Sequence, residues 1–195
     1  MDPNTANPTP SGMLRGEHRV IERVLGVLAE PVERSERGEG LETDSLSRCV
    51  EFFRHYADAC HHAKEEDLLF PILEARGVPR EGGPIGVMLH EHTIARQLTK
   101  EMGEALADFS GSKRKAAEHF CQTAKQYIEL LRNHIQKEDN VLFTMGDRVM
   151  SNEDQESLTK KFCEVDSGLF GGKRREEFER MADELEKQWP HCPTE

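Results

Sequence analysis

Residues 61–70 read HHAKEEDLLF: two histidines, two glutamates about a turn later, then an apolar run. Charged side chains enter a core only when paired or bound, so a His and a Glu one turn apart at the edge of an apolar run require a partner. A second stretch repeats the arrangement. His62 is followed four residues on by Glu66, and His134, within HIQKEDNVLF, by Glu138. Four residues overshoot a helical turn by only about 40°, so each pair stays on one face. Each pair is preceded by a helix with its own histidine, His18 in EHRVIERVL and His92 in EHTIARQL. The separations match: 44 residues from His18 to His62 and 42 from His92 to His134. One such pair alone reads as solvated surface. Two copies in register read as a metal site, because face-to-face packing of the two hairpins converges four histidines and two glutamates at one depth.

The surrounding periodicity supplies those helices. Leu14, Ile21, Leu25 and Leu28 fall at helical spacing between Met13 and about Arg34. Asp44 can cap a second helix to about Ala75, with Pro71 expected to kink it or to end its regular part early. GVPREGGP is a loop, a third helix follows from Ile85 to about Phe109, and a fourth from about Lys113 to Met145. Long amphipathic helices with short connections predict an all-α fold, an up-down four-helix bundle over residues 13–150. Residues 1–12, rich in Pro, Asn and Thr, are expected to be a disordered tail. Residues 151–195 form a C-terminal extension of two additional helices, the first opened by a capping box at SNED and ending near Val165, the second reaching about Gln188. Their place relative to the bundle is left open.

Composition narrows the function. A net charge of −11 argues against nucleic acid, which needs a basic footprint. No apolar run is long enough to span a bilayer, and the first residues lack the pattern of a secretory signal. The five cysteines are scattered, without a CxxC pair, and read as reduced thiols of a cytoplasmic protein.

Imidazoles and carboxylates together suit a first-row transition metal. A carboxylate from each of two helices can bridge two ions while histidines complete their shells. The order His-then-Glu separates this pattern from the Glu-x-x-His of ferritin-like di-metal bundles, which does not occur in this chain.

With its order H…HxxxE…H…HxxxE, and with HHAKEEDLLFPILEARGVPREGGPIGVMLHEH and LRNHIQKEDNVLF close to characteristic stretches, the chain resembles the hemerythrin-like (HHE cation-binding) family in its bacterial and archaeal cytoplasmic branch. The resemblance covers about residues 13–150. It implies a four-helix bundle around a non-haem centre of two iron ions, oxo- or hydroxo-bridged, with His18, His62, His92 and His134 as ligands and Glu66 and Glu138 as bridging carboxylates. It also implies dioxygen or another small diatomic as ligand, for sensing, storage or delivery. The alternatives are a peroxidase- or catalase-like detoxifying enzyme and an iron-handling or partner-binding protein whose protein partner is unknown. The chain departs from the oxygen carriers in one respect. They place two histidines a turn apart on the third helix, where Met88 stands here. Glu22 and His61 are the candidates to fill that gap, and His55 and Tyr127 to line the end of the site. Glu65, Asp67 and Asp139 read as solvated, and His119 and His191 carry no signal.

Overall fold

The computed structural model describes residues 8–39, 41–110 and 113–189. Six helices account for its regular structure, and no strand occurs among the described residues. Helix α1 is Pro10–Glu36, α2 spans 43–75, α3 is Pro84–Ala107, α4 spans 113–149, α5 is Asn152–Asp166 and α6 is Arg175–Gln188. The first four form the up-down bundle that the periodicity predicts, with α5 and α6 as the additional pair.

Local chemistry sets the ends of these helices. Thr9 caps α1 by accepting from the Gly12 amide, and Pro10 fits the first turn, where its missing N–H costs nothing. The first helix therefore begins three residues before the expected Met13, and of the expected tail only residues 8 and 9 are described and lie outside a helix. Ser151 and Asp154 form the capping box that opens α5.

Two of the bundle helices contain π-helical turns, at Phe53–His62 and Glu65–Leu69 in α2 and at Glu138–Leu142 in α4. In α2 these turns keep one face aligned. Cys49, Phe53, Ala57, His61, Glu65, Leu69 and Leu73 recur every four residues and are all buried. In a pure α-helix each four-residue step would drift by about 40° and the stripe would wind away from the core. A π-turn closes i→i+5 and holds more residues, which takes the drift back. Pro71 lies in the first turn of the α-helical stretch that follows the second π segment, where the change of bonding register accommodates its missing donor, and α2 continues to Ala75.

The core divides into two apolar clusters with a polar layer between them. The larger contains Leu25, Phe52, Phe53, Tyr127 and Leu131, the smaller Leu14, Phe70, Ile85 and Phe143. Both C-terminal helices pack on the bundle: Leu158 and Phe162 of α5 enter the smaller cluster, and Phe178, Met181, Ala182 and Leu185 of α6 the larger. The connection between α5 and α6 turns at Gly171, whose φ of 57° favours glycine and where a Cβ would lie 2.6 Å from the His55 ring. His55 is thereby held under the C-terminal turn, beside Phe178, and does not line the bundle interior.

Candidate metal centre

Between the two clusters the four bundle helices place seven polar side chains that are each 2% exposed or less: His18 from α1, His61, His62 and Glu65 from α2, His92 from α3, and His134 and Glu138 from α4. They fall into two groups whose donor atoms lie within 4.8 Å of one another, His62, Glu65, His92 and His134 in one, His18, His61, Glu65 and Glu138 in the other. Glu65 belongs to both. One of its oxygens is 3.4 Å from His61 Nε2 and the other 3.5 Å from His92 Nε2. Glu138 sits between the groups in a similar way, its Oε2 3.3 Å from His18 Nε2 and 3.2 Å from His134 Nε2.

Four of the histidines are oriented by a carboxylate from behind. Nδ1 of His18 donates to Asp139 (2.8 Å), of His61 to Glu17 (2.9 Å), of His92 to Glu66 (2.6 Å) and of His134 to Glu91 (2.9 Å). A proton held on Nδ1 leaves Nε2 as a lone pair aimed at the centre, the arrangement that makes imidazole a metal ligand. Two lysines secure these carboxylates, Lys64 on Glu17 and Lys137 on Glu91. The pattern is a two-fold repeat: Glu17, His18, His61, Lys64, Glu65 and Glu66 correspond to Glu91, His92, His134, Lys137, Glu138 and Asp139. His62 breaks it, because Ile135 stands at the corresponding position.

Without a cation the layer is unsatisfied. His18 Nε2, both ring nitrogens of His62 and all four oxygens of Glu65 and Glu138 are buried without a hydrogen-bond partner. Nε2 of His92 and Nε2 of His134 face each other at 3.1 Å. Buried polar atoms in that state are costly, and converging lone pairs repel unless a cation lies between them. The titration behaviour has the same origin. Burial, with neighbouring imidazoles, pushes His62 well below its ordinary value, and burial brings His61 down to about 4. Burial and the charge of Glu138 push Glu65 well above the carboxylate range, whereas at Glu138 the effect of burial is outweighed by His134 and His18, which hold it well below. The donors present fit metal ions.

Of the six residues expected from the sequence, the structure brings His18, His62, His92, His134 and Glu138 together and leaves Glu66 outside. Glu66 is 23% exposed and binds His92 Nδ1 and Arg96. The carboxylate in the centre is its neighbour Glu65, which the sequence alone leaves as solvated. His61 enters as a fifth histidine in the group of His18, while His62 completes the group of His92, and Met88 packs in the smaller apolar cluster. Glu22 is on the surface and pairs with Arg19 at 3.1 Å. Asp139 supports His18, Tyr127 packs against Phe53, and His119 is exposed, while His191 lies outside the described residues. The signal that could have found Glu65 and His61 was present: aligned without a gap on their terminal Leu-Phe, the two stretches pair His61 with His134 and Glu65 with Glu138.

Residues 9–146 match the family described as the hemerythrin HHE cation binding domain. The uncharacterized protein Rv1995 of Mycobacterium tuberculosis is 25% identical over 162 residues, covering 83% of this chain and 62% of its own length. The iron-sulfur cluster repair protein YtfE of Edwardsiella ictaluri is 31% identical over 63% of this chain and 57% of its own. YtfE of Dickeya chrysanthemi is 32% identical over 43% of this chain and 38% of its own. The chain thus spans under two thirds of the length of these curated relatives. No solved structure matches it. No helix among the described residues is long and apolar enough to cross a membrane.

Proposed function

The chain belongs to the hemerythrin HHE cation-binding family, and on that premise we propose that it is a cytoplasmic non-haem di-iron protein that binds dioxygen or a related small ligand. His62, His92 and His134 would hold one iron and His18 and His61 the other, with Glu65 and Glu138 as the carboxylates that lie between the two groups. The observation that carries this reading is Glu65, a fully buried carboxylate whose two oxygens face histidines of different groups. Unequal histidine numbers, three against two, would make the two ions chemically distinct. When bound and reduced, such an iron pair would supply electrons to a small ligand. The protein's own part is to fix the imidazoles through Glu17, Glu66, Glu91 and Asp139, and to exclude bulk water with the apolar layers above and below.

The test is metal content per chain with an absorption spectrum, taken in air and after anaerobic reduction. About two irons, with near-ultraviolet bands that are lost on reduction and return with dioxygen, are expected. Zinc, or one metal or none, would overturn the reading. A second reading, iron supply to iron-sulfur cluster repair, is favoured by the similarity to the two YtfE proteins. It predicts that the iron-loaded protein rebuilds a damaged cluster in a purified iron-sulfur protein faster than free ferrous ion does.

A further inference from the structure

Val87, Ile94, Val141 and Leu169 are the exposed large apolar side chains among the described residues. One such residue on a surface carries no meaning, but three of these share a face of the second hairpin. Val87 and Ile94 lie two turns apart on α3, Val141 stands on α4, and the Glu91–Lys137 hydrogen bond ties the two helices together between them. The internal repeat explains the grouping. The offset of 74 residues that carries His18 to His92 also carries Met13 to Val87 and Val20 to Ile94. The offset of 73 that carries Lys64 to Lys137 carries Leu68 to Val141. In the first hairpin these positions are partly buried: Met13 and Leu68 pack against the cluster that α5 enters, and Val20 against the one that α6 enters. The second hairpin keeps the apolar residues and leaves them exposed.

We propose that a second copy of this chain covers this face, through a two-fold symmetric contact of α3 and α4. Charge decides the occupant. The chain carries −11, so two copies repel wherever their ordinary acidic surfaces meet. This face escapes that repulsion. At helical spacing it presents Val87, Glu91 and Ile94 on α3 and Leu130, Lys137 and Val141 on α4, with the amides Gln97 and Asn133 as exposed neighbours. Its one carboxylate and its one lysine bind each other. The face is also complementary to itself. A two-fold axis beside that pair brings the acid of each copy to the base of the other, and apolar residues onto apolar residues, as an isologous interface requires. Lys137, with its side chain 41% exposed, has room for this second contact, the one that Asp166 makes to Lys64 in the first hairpin.

The test is sedimentation-velocity ultracentrifugation of the full chain over a concentration series, in the wild type, Ile94→Glu, Val141→Glu and Leu169→Glu. The wild type is expected to sediment with twice the chain mass at micromolar concentration. A substitution on the face occurs twice in a two-fold dimer and sets carboxylates against an apolar surface. Ile94→Glu and Val141→Glu should each weaken the dimer by roughly 100-fold, which leaves monomer over the same range. Leu169→Glu, in the connection between α5 and α6, should leave the dimer intact. Helical circular dichroism should be the same in all four proteins, because the changed side chains are exposed. A wild type that stays monomeric throughout would overturn the proposal and leave the face to a different protein. A dimer that survives both Ile94→Glu and Val141→Glu, or that Leu169→Glu breaks as well, would place the contact elsewhere and overturn it too.

Discussion

The two hairpins carry the same polar set in different surroundings. In the first, Glu17 accepts from His61 and from Lys64, and Lys64 is fully buried. Helices α5 and α6 lie over this set: Lys64 donates to Asp166 at 2.7 Å, stands 5.7 Å from the Phe162 ring, and Asp166 in turn takes a hydrogen bond from Arg175. In the second, Glu91 accepts from His134 and Lys137 in the same way, but the Lys137 side chain is 41% exposed. The local hydrogen bonds are equivalent, and their energetic meaning is not. A buried charge set is costly to break, whereas an exposed pair is screened and contributes little. The C-terminal helices thus make one side of the centre rigid and leave the other near solvent.

The strongest test of the shared layer is Glu65→Ala. Because both groups use this carboxylate, the variant should retain almost no iron after gel filtration with a chelator, while Glu66→Ala should keep its iron with affinity lower by roughly 10- to 100-fold. Two irons retained in Glu65→Ala would remove Glu65 from the centre.

The contrast between the hairpins is tested by Lys64→Met against Lys137→Met. The first removes the buried cation between Glu17 and Asp166, leaving Arg175 as their one remaining shared cation among the described residues, and should lower unfolding stability by about 3–5 kcal/mol. The second should cost under about 1 kcal/mol. Urea titrations of the metal-free proteins give both values, and equal losses would erase the distinction.

A smaller effect sharpens the view of α5 as a cover. Asp154, at its first turn, is held at about 2 by hydrogen bonds from Arg76 and from the Ser151 backbone. A carboxylate lowered in the folded state contributes stability that is complete above its ordinary value near 3.8 and fades as pH falls towards 2. Asp154→Asn should therefore show a shallower loss of stability than the wild type across that window, and no difference in slope would mean that the contact to Arg76 does not hold α5.

Much of this was legible beforehand. Periodicity gave the four bundle helices and the two after them, and the repeated histidines pointed to a buried layer with five of its seven members. The choice between Glu65 and Glu66 was not legible by helical phase, because that phase assumes 3.6 residues per turn throughout. The π-turns in α2 change the count, and they turn Glu65 inward and leave Glu66 to support His92. The position of α5 and α6 was also out of reach, since their apolar faces suit a bundle surface or a separate arm equally well.

What the sequence by itself determined is the set of helices and the order of histidines along them, because apolar spacing and ligand spacing are local properties of the chain. Helical phase could not decide which of two adjacent glutamates is inside or that His61 joins the centre, although the gap-free repeat marks both, and tertiary structure alone decided that Lys64 is buried while Lys137 is not. A π-turn is chosen by what packs around it, and the burial of Lys64 depends on Asp166, 102 residues away in the chain. Local periodicity carries no record of either.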